Sequence, residues 1–177
     1  MPTHLGFLRA VNIGKRQYKT VELKAALVTA GYGDVETYIQ TGNVRITSPV
    51  RARSKIEAEL EAVFLADRGF EVPTIVYSPT ELRQVAADAD ELSAEFQPKY
   101  AHYVSLLKDE PDADGRERVE ALSSDVERLL VRGRAVHLLY DIGYGEAKIT
   151  NVQIERAIGV ATNRSAKVIR EIVEKWC

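Results

Sequence analysis

The sequence predicts an α+β fold of two tandem ferredoxin-like subdomains (split βαβ, α/β plait), the second incomplete and ending in a C-terminal helix. Three observations predict it. Strand and helix patterns alternate as βαββαβ over residues 1–78, the pattern restarts as βαββα near residue 100, and the last apolar residues recur at helical spacing. The expected organisation is a first subdomain over 1–78, a connecting helix and linker over 79–99, and a second subdomain with its terminal helix over 100–177.

Residues 4–11 are apolar and suit a buried strand, and residues 12–18 form a polar, glycine-bearing loop. Thr20 is placed to cap a helix in which Leu23, Ala26, Leu27 and Ala30 share one side, and Gly31 ends it. Residues 35–39 and 44–47 read as two strands joined at QTGN, where Gly42 supplies the permissive backbone of a tight hairpin. Ser54 and Glu57 have capping-box spacing, and Ile56, Leu60, Val63 and Phe64 form the apolar stripe of a second helix. Residues 72–77 close the unit as a strand, with the spatial order four, one, three, two expected.

SPTE at 78–81 is a further capping box with proline at the first helical position; Leu82, Val85, Ala86 and Ala89 continue that helix. Residues 90–99 are polar and read as a linker. Strand 100–107, helix 111–123 and a hairpin of 126–131 with 135–140 follow, and Thr150 with Gln153 starts another helix. Thr162, Asn163, Arg164 and Ser165 read as the opening of a last helix, leaving no final strand.

Composition narrows the function. The 177 residues are 45% hydrophobic and 28% charged, with a formal charge of -2, so a core is expected and duplex nucleic acid is not expected as a partner; any anion site must be a local patch. The single cysteine, Cys177, excludes an internal disulfide framework and multi-cysteine metal sites, which fits a reducing compartment. No basic flank with a long apolar run opens the chain and no stretch reaches membrane-span length, so a cytoplasmic location is expected. No sequence pattern names a cofactor.

Chemistry is expected where the end of strand one meets the start of strand three. There Arg9, Asn12, Gly14 and Lys15 of RAVNIGKR face Tyr38, Gln40, Gly42 and Asn43 of YIQTGN, an inventory suited to an anion. Strand alternation places Arg9 in a central strand beside Leu5, Phe7 and Val11, where its guanidinium needs an ion partner between the halves or a ligand. Asn12 and Asn43 suit backbone satisfaction as well as ligand contact. The glycine loop 140–150 is not a Walker A motif, yet Lys148 lies beside a helix start, and Arg164 at a helix N-terminus would oppose the macrodipole unless an acid or an anion pairs with it. His4, His102 and His137 lie on three separate strands and suggest neither a metal site nor a triad.

FLRAVNIGK at 7–15 and TYIQTGNVRI at 37–46 resemble the LLRGINVGG-like strand and TYIQSGNVVF-like hairpin of the bacterial family known as domain of unknown function 1697. The resemblance spans essentially the whole chain. It implies two α+β subdomains, at least one of them ferredoxin-like, and implies no activity. Arg9, Asn12, Gly14, Tyr38, Gln40, Gly42 and Asn43 match the family's positions, as do Gly143, Gly145, Lys148, Thr150, Thr162 and Arg164. Ala147, Ile149, Ser165, Ala166 and Val168 depart from it.

Three readings follow: a protein that holds a small anionic ligand such as a nucleotide or phosphorylated metabolite, a single-stranded RNA binder with Phe7 as a stacking platform, or an interaction module that includes a homodimer. The pattern does not decide whether a reaction is catalysed.

Overall fold

Apolar alternation and two helical stripes fold residues 3–77 into one sheet with two helices on a single face. The computed structural model describes residues 1–177, divided into two compact units, Met1–Glu81 with Trp176 and Leu82–Lys175 with Cys177. In the first unit β1 (Thr3–Leu8), β2 (Gly33–Tyr38), β3 (Asn43–Thr47) and β4 (Thr74–Tyr77) form an antiparallel sheet in the order β2-β3-β1-β4, the order expected from the sequence. Helices α1 (Thr20–Thr29) and α2 (Arg53–Arg68) bury Leu23, Leu27, Ile56, Leu60 and Phe64 against Leu8, Val44, Ile46 and Val76. Gly6 permits close packing, since a Cβ there would lie 2.8 Å from Val44 Cγ2.

Two helix starts differ from expectation. The cap of α1 is Lys19, not Thr20, and the Glu22 carboxylate accepts from the Lys19 N–H at 3.3 Å. The cap of α2 is Ala52, and Glu57 does not close a capping box with Ser54. Glu57 is 2% exposed; it accepts from the Val76 N–H of β4 at 3.0 Å and pairs with Arg53 at 3.4 Å. Glu61, one turn on, accepts from the Thr74 N–H at 2.8 Å. The two carboxylates supply the acceptors that an edge strand lacks, a demand that outweighs local capping.

Helix α3 (Pro79–Phe96) opens with the expected box: the Ser78 N–H donates to Glu81 at 2.8 Å and the Glu81 N–H to Ser78 Oγ at 3.2 Å. The polar stretch read as a linker from residue 90 remains helical to Phe96. Ala89 and Leu92 continue its buried stripe, and charged residues on the solvent side do not interrupt a helix.

The second unit has β5 (Ala101–Leu107), α4 (Ala113–Glu120), β6 (Glu127–Arg132), β7 (Ala135–Tyr140), α5 (Asn151–Ile158), β8 (Ala161–Ser165) and α6 (Ala166–Trp176). Its sheet order, β6-β7-β5-β8, repeats the first. The expectation of an incomplete second half is therefore corrected: residues 161–165 form the missing strand, paired with β5 from Leu107↔Ala161 to Tyr103↔Ser165. ATNRS carries little apolar signal because its pairing is supplied by β5, while α5 holds Ala161 through Glu155 (3.2 Å) and Asn151 (2.9 Å). Ser165 caps α6 by accepting from the Val168 N–H at 3.2 Å. Edge strand β6 is held similarly, with Val131 N–H on Glu120 at 2.9 Å and Val131 C=O on Arg116 at 3.2 Å. No helix is long and apolar enough to cross a membrane.

His4 is an ordinary strand histidine, its Nε2 2.9 Å from Val50 O. His102 and His137, read as separate, are diagonal neighbours across β5 and β7: His102 Nε2 lies 3.0 Å from His137 Nδ1, and Ser93 Oγ of α3 lies 2.8 Å from His102 Nδ1. His137 is fully buried and its Nε2 has no hydrogen-bond partner. Burial first, then the neighbouring His137 and Arg170, lower the His102 pKa to about 3, with Asp90 opposing; burial and Arg132 lower that of His137 to about 4.

Two outcomes are expected. Glu57→Ala removes the acceptor 3.0 Å from the Val76 N–H and lowers unfolding free energy by roughly 1–3 kcal/mol, read from urea midpoints. The histidines fold neutral, so the unfolded chain binds more protons below pH 6.5. Stability is complete above that pH and falls towards pH 4 by roughly 1.4 kcal/mol per pH unit for each imidazole. His137→Phe should flatten that slope in urea titrations at pH 7.5 and pH 5, and an unchanged slope would remove the pair as its source.

Candidate functional site

The ends of β1 and β3 meet where the sequence places them: Phe7 pairs with Asn43, and the Leu8 N–H donates to Gly42 O at 2.8 Å. Arg9 does not lie within the strand. β1 stops at Leu8, the Arg9 N–H donates to Pro73 O at 2.9 Å, and Pro73 has no N–H to return, so the ladder ends there. Left-handed Ala10 (φ 55) and Asn12 (φ 58) then turn the chain, leaving Arg9 half-buried at the loop entrance. Alternation cannot register that turn.

The Asn12 amide accepts from the Tyr18 N–H at 2.8 Å and donates to Tyr18 O at 3.1 Å and Gln40 O at 2.5 Å, tying loop 12–18 to the hairpin. Asn43, fully buried, donates to Tyr38 O at 2.9 Å and Thr41 Oγ1 at 3.0 Å. Both amides thus have backbone work. Gly42 (φ 79) is forced by conformation and by space, since a Cβ would come within 2.7 Å of Val11 Cγ2 and 2.8 Å of Leu8 Cβ. Arg16, which the sequence did not single out, braces the loop from behind through Ala10 O (2.9 Å) and Glu71 O, with its guanidinium over the Phe70 ring.

What faces outward is Ile13, Gly14 (φ 56), Lys15, Ile39 (φ 49) and Gln40. The Gly14 and Lys15 N–H groups make no hydrogen bond within the chain. Tyr38 is half-buried beside this tip. Phe7 is fully buried, edge-to-face with Tyr77 at 6.0 Å, so it offers no platform for a base.

In the second unit the loop at Lys148 is turned inward. The Lys148 and Ile149 N–H groups both donate to Glu127 Oε1 at 2.8 Å, and Gln153 accepts from the Thr150 N–H at 2.8 Å in the expected capping box. A carboxylate of the protein occupies the donors that an anion would use, and the Lys148 side chain is exposed. Glu127, 3% exposed at the start of β6, carried no sequence signal because its partners lie 21 and 22 residues away. Arg164 lies in β8 and not at a helix start. It is buried, donates to Thr162 Oγ1 at 3.0 Å and Asn163 O at 2.7 Å, and burial lowers its pKa to about 10, leaving it charged at neutral pH.

These two units are similar in fold to the solved structure of a conserved bacterial protein from Streptococcus pneumoniae, with a TM-score of 0.78 at 22% identity, covering 99% of this chain and 98% of that one. No curated protein matches the chain. The family model described as protein of unknown function DUF1697 matches residues 1–137, which include Arg9 to Lys15 and Tyr38 to Asn43. The chain belongs to the DUF1697 family.

Proposed function

We propose that the chain binds a small anionic ligand, a nucleotide or phosphorylated metabolite, on the loop 12–16. One observation carries this reading: the N–H groups of Gly14 and Lys15 are unengaged beside the exposed Lys15 ammonium, on a loop whose shape the Asn12 amide holds. Left-handed Asn12 and Gly14 flank Ile13, the alternation of hand that turns successive N–H groups to one side and makes an anion-binding concavity. Lys15 and Gln40 are the contact side chains; Asn12, Asn43 and Gly42 are the frame. Both units are read as ferredoxin-like plaits, and the protein as cytoplasmic.

The test is thermal unfolding with inorganic phosphate, AMP and glucose 6-phosphate. A ligand at a hundred times its dissociation constant stabilises the fold by about 2.7 kcal/mol, a readily measured rise in Tm. Lys15→Glu should abolish the shift with the unliganded Tm kept, whereas Asn12→Ala should abolish it and also cost roughly 1–3 kcal/mol of stability. A shift that survives Lys15→Glu, or none with any anion, removes the reading.

A second reading is favoured by exposed Ile13 (66%) and Ile39 (39%) on the same tip, which suit a protein contact or a second copy of the chain. Sedimentation should then depend on concentration, and Ile13→Glu should abolish that dependence.

A further inference from the structure

The edge strand β2 is served by no side chain of the helix beside it. Helix α1 packs next to β2, and its side chains make polar contacts only through Glu22, with the Lys19 N–H and Arg68, so none reaches the strand. β6 holds the corresponding place in the second sheet, and there Glu120 and Arg116 of α4 bind both backbone groups of Val131.

The two edges also differ in regularity. β6 pairs with β7 without interruption from Glu127↔Tyr140 to Arg132↔Ala135. β2 is bulged: Gly33 faces Thr47 and Glu36 faces Arg45, so β2 spends one residue more than β3 over the same stretch. The extra residue is Asp34. It is exposed and left-handed (φ 45), whereas Val35 is buried in one core cluster with Ile46, the residue it would stand opposite if Asp34 were taken out. Neighbouring residues hold the bulge in place. Thr47 Oγ1 donates to Asp34 Oδ2 at 3.3 Å, and a Cβ on Gly33 would lie 2.6 Å from that same Thr47 oxygen, so glycine leaves room for the bond. At the other end of the strand Ile39 is left-handed as well (φ 49). Only residues 35–38 run straight between those two turns, fewer than the about five or six of an ordinary strand.

We propose that the bulge at Asp34 guards the open edge of the first sheet: it bends β2 and shortens its straight run, so that β2 does not pair with the β2 of a second copy. A straight, uncovered edge is a template for another strand, and a second copy is the partner to exclude because it carries the same edge. Side chains of α4 close the edge at β6, and the bulge closes it at β2. A left-handed backbone at a residue other than glycine, held by its surroundings, is the mark of a shape kept for a purpose.

Deletion of Asp34 in the full chain tests this, with Asp34→Gly beside it. The deletion evens the register against Thr47 to Asn43 and should associate in sedimentation at concentrations where the wild type does not change, and Ile13→Glu should leave that association in place. Asp34→Gly removes the carboxylate and keeps the left-handed turn, so it should sediment as the wild type does. Hydrogen exchange locates the contact: the outward amides of residues 35–38 should slow at least about tenfold in the associated deletion variant. A deletion variant that unfolds cooperatively in urea yet sediments as the wild type, one that associates with no slowing in β2, or an Asp34→Gly variant that associates equally overturns the proposal. The wild type decides independently of how the deletion folds. Its outward β2 amides should exchange faster than the Val131 amide that Glu120 binds, and equal protection of the two, or protection of β2 that grows with concentration, overturns the proposal.

Discussion

An edge strand leaves a row of backbone N–H and C=O groups facing outward, and each buried one must find a partner at a cost of roughly 1–3 kcal/mol if it does not. Three of the four edge strands here meet that constraint with side chains from a helix. Glu57 and Glu61 of α2 serve β4, Glu120 and Arg116 of α4 serve β6, and Glu155 and Asn151 of α5 serve β8. Partners four residues apart on a helix lie one above the other, so each pair presents two polar groups along one strand. Each of these helices is thereby tied to an edge strand, while the ends of β1 and β3 lie side by side through their own ladder.

The same accounting governs loops within each unit. Backbone groups of Tyr18, Tyr38 and Gln40 that no strand reaches are bound by Asn12 and Asn43, and those of Lys148 and Ile149 by Glu127. A side chain engaged in this way holds a loop and cannot also hold a ligand with the same atoms. The exposed remainder is small, and that is why the anion reading passes from the amides to Lys15 and the free N–H groups next to it.

Much of the architecture was legible because it rests on periodicity: the strand order of the first sheet, the Ser78–Glu81 box and the hairpin at Gly42 follow from spacing alone. What escaped depends on partners distant in sequence. Residues 161–165 look like a helix start until β5 is beside them, Glu57 looks like a cap residue until Val76 asks for an acceptor, and His102 meets His137 only across two strands. At the site, the meeting of the two segments could be read from topology, whereas the exit of Arg9 from the strand depends on Pro73 and two left-handed residues.

Ile39 shows how firmly the tip is held. A β-branched residue at φ 49 is disfavoured by roughly 1–2 kcal/mol, and it persists only where the surroundings over-determine the backbone. Here the carbonyls on either side of it are both bound, Tyr38 O by Asn43 and Gln40 O by Asn12, so relaxing Ile39 would break two hydrogen bonds at once. Since Asn12 also fixes both backbone groups of Tyr18, the strained hairpin and the loop bearing Lys15 share one amide. Strain held in this way removes the ordering cost that a flexible loop would impose on binding.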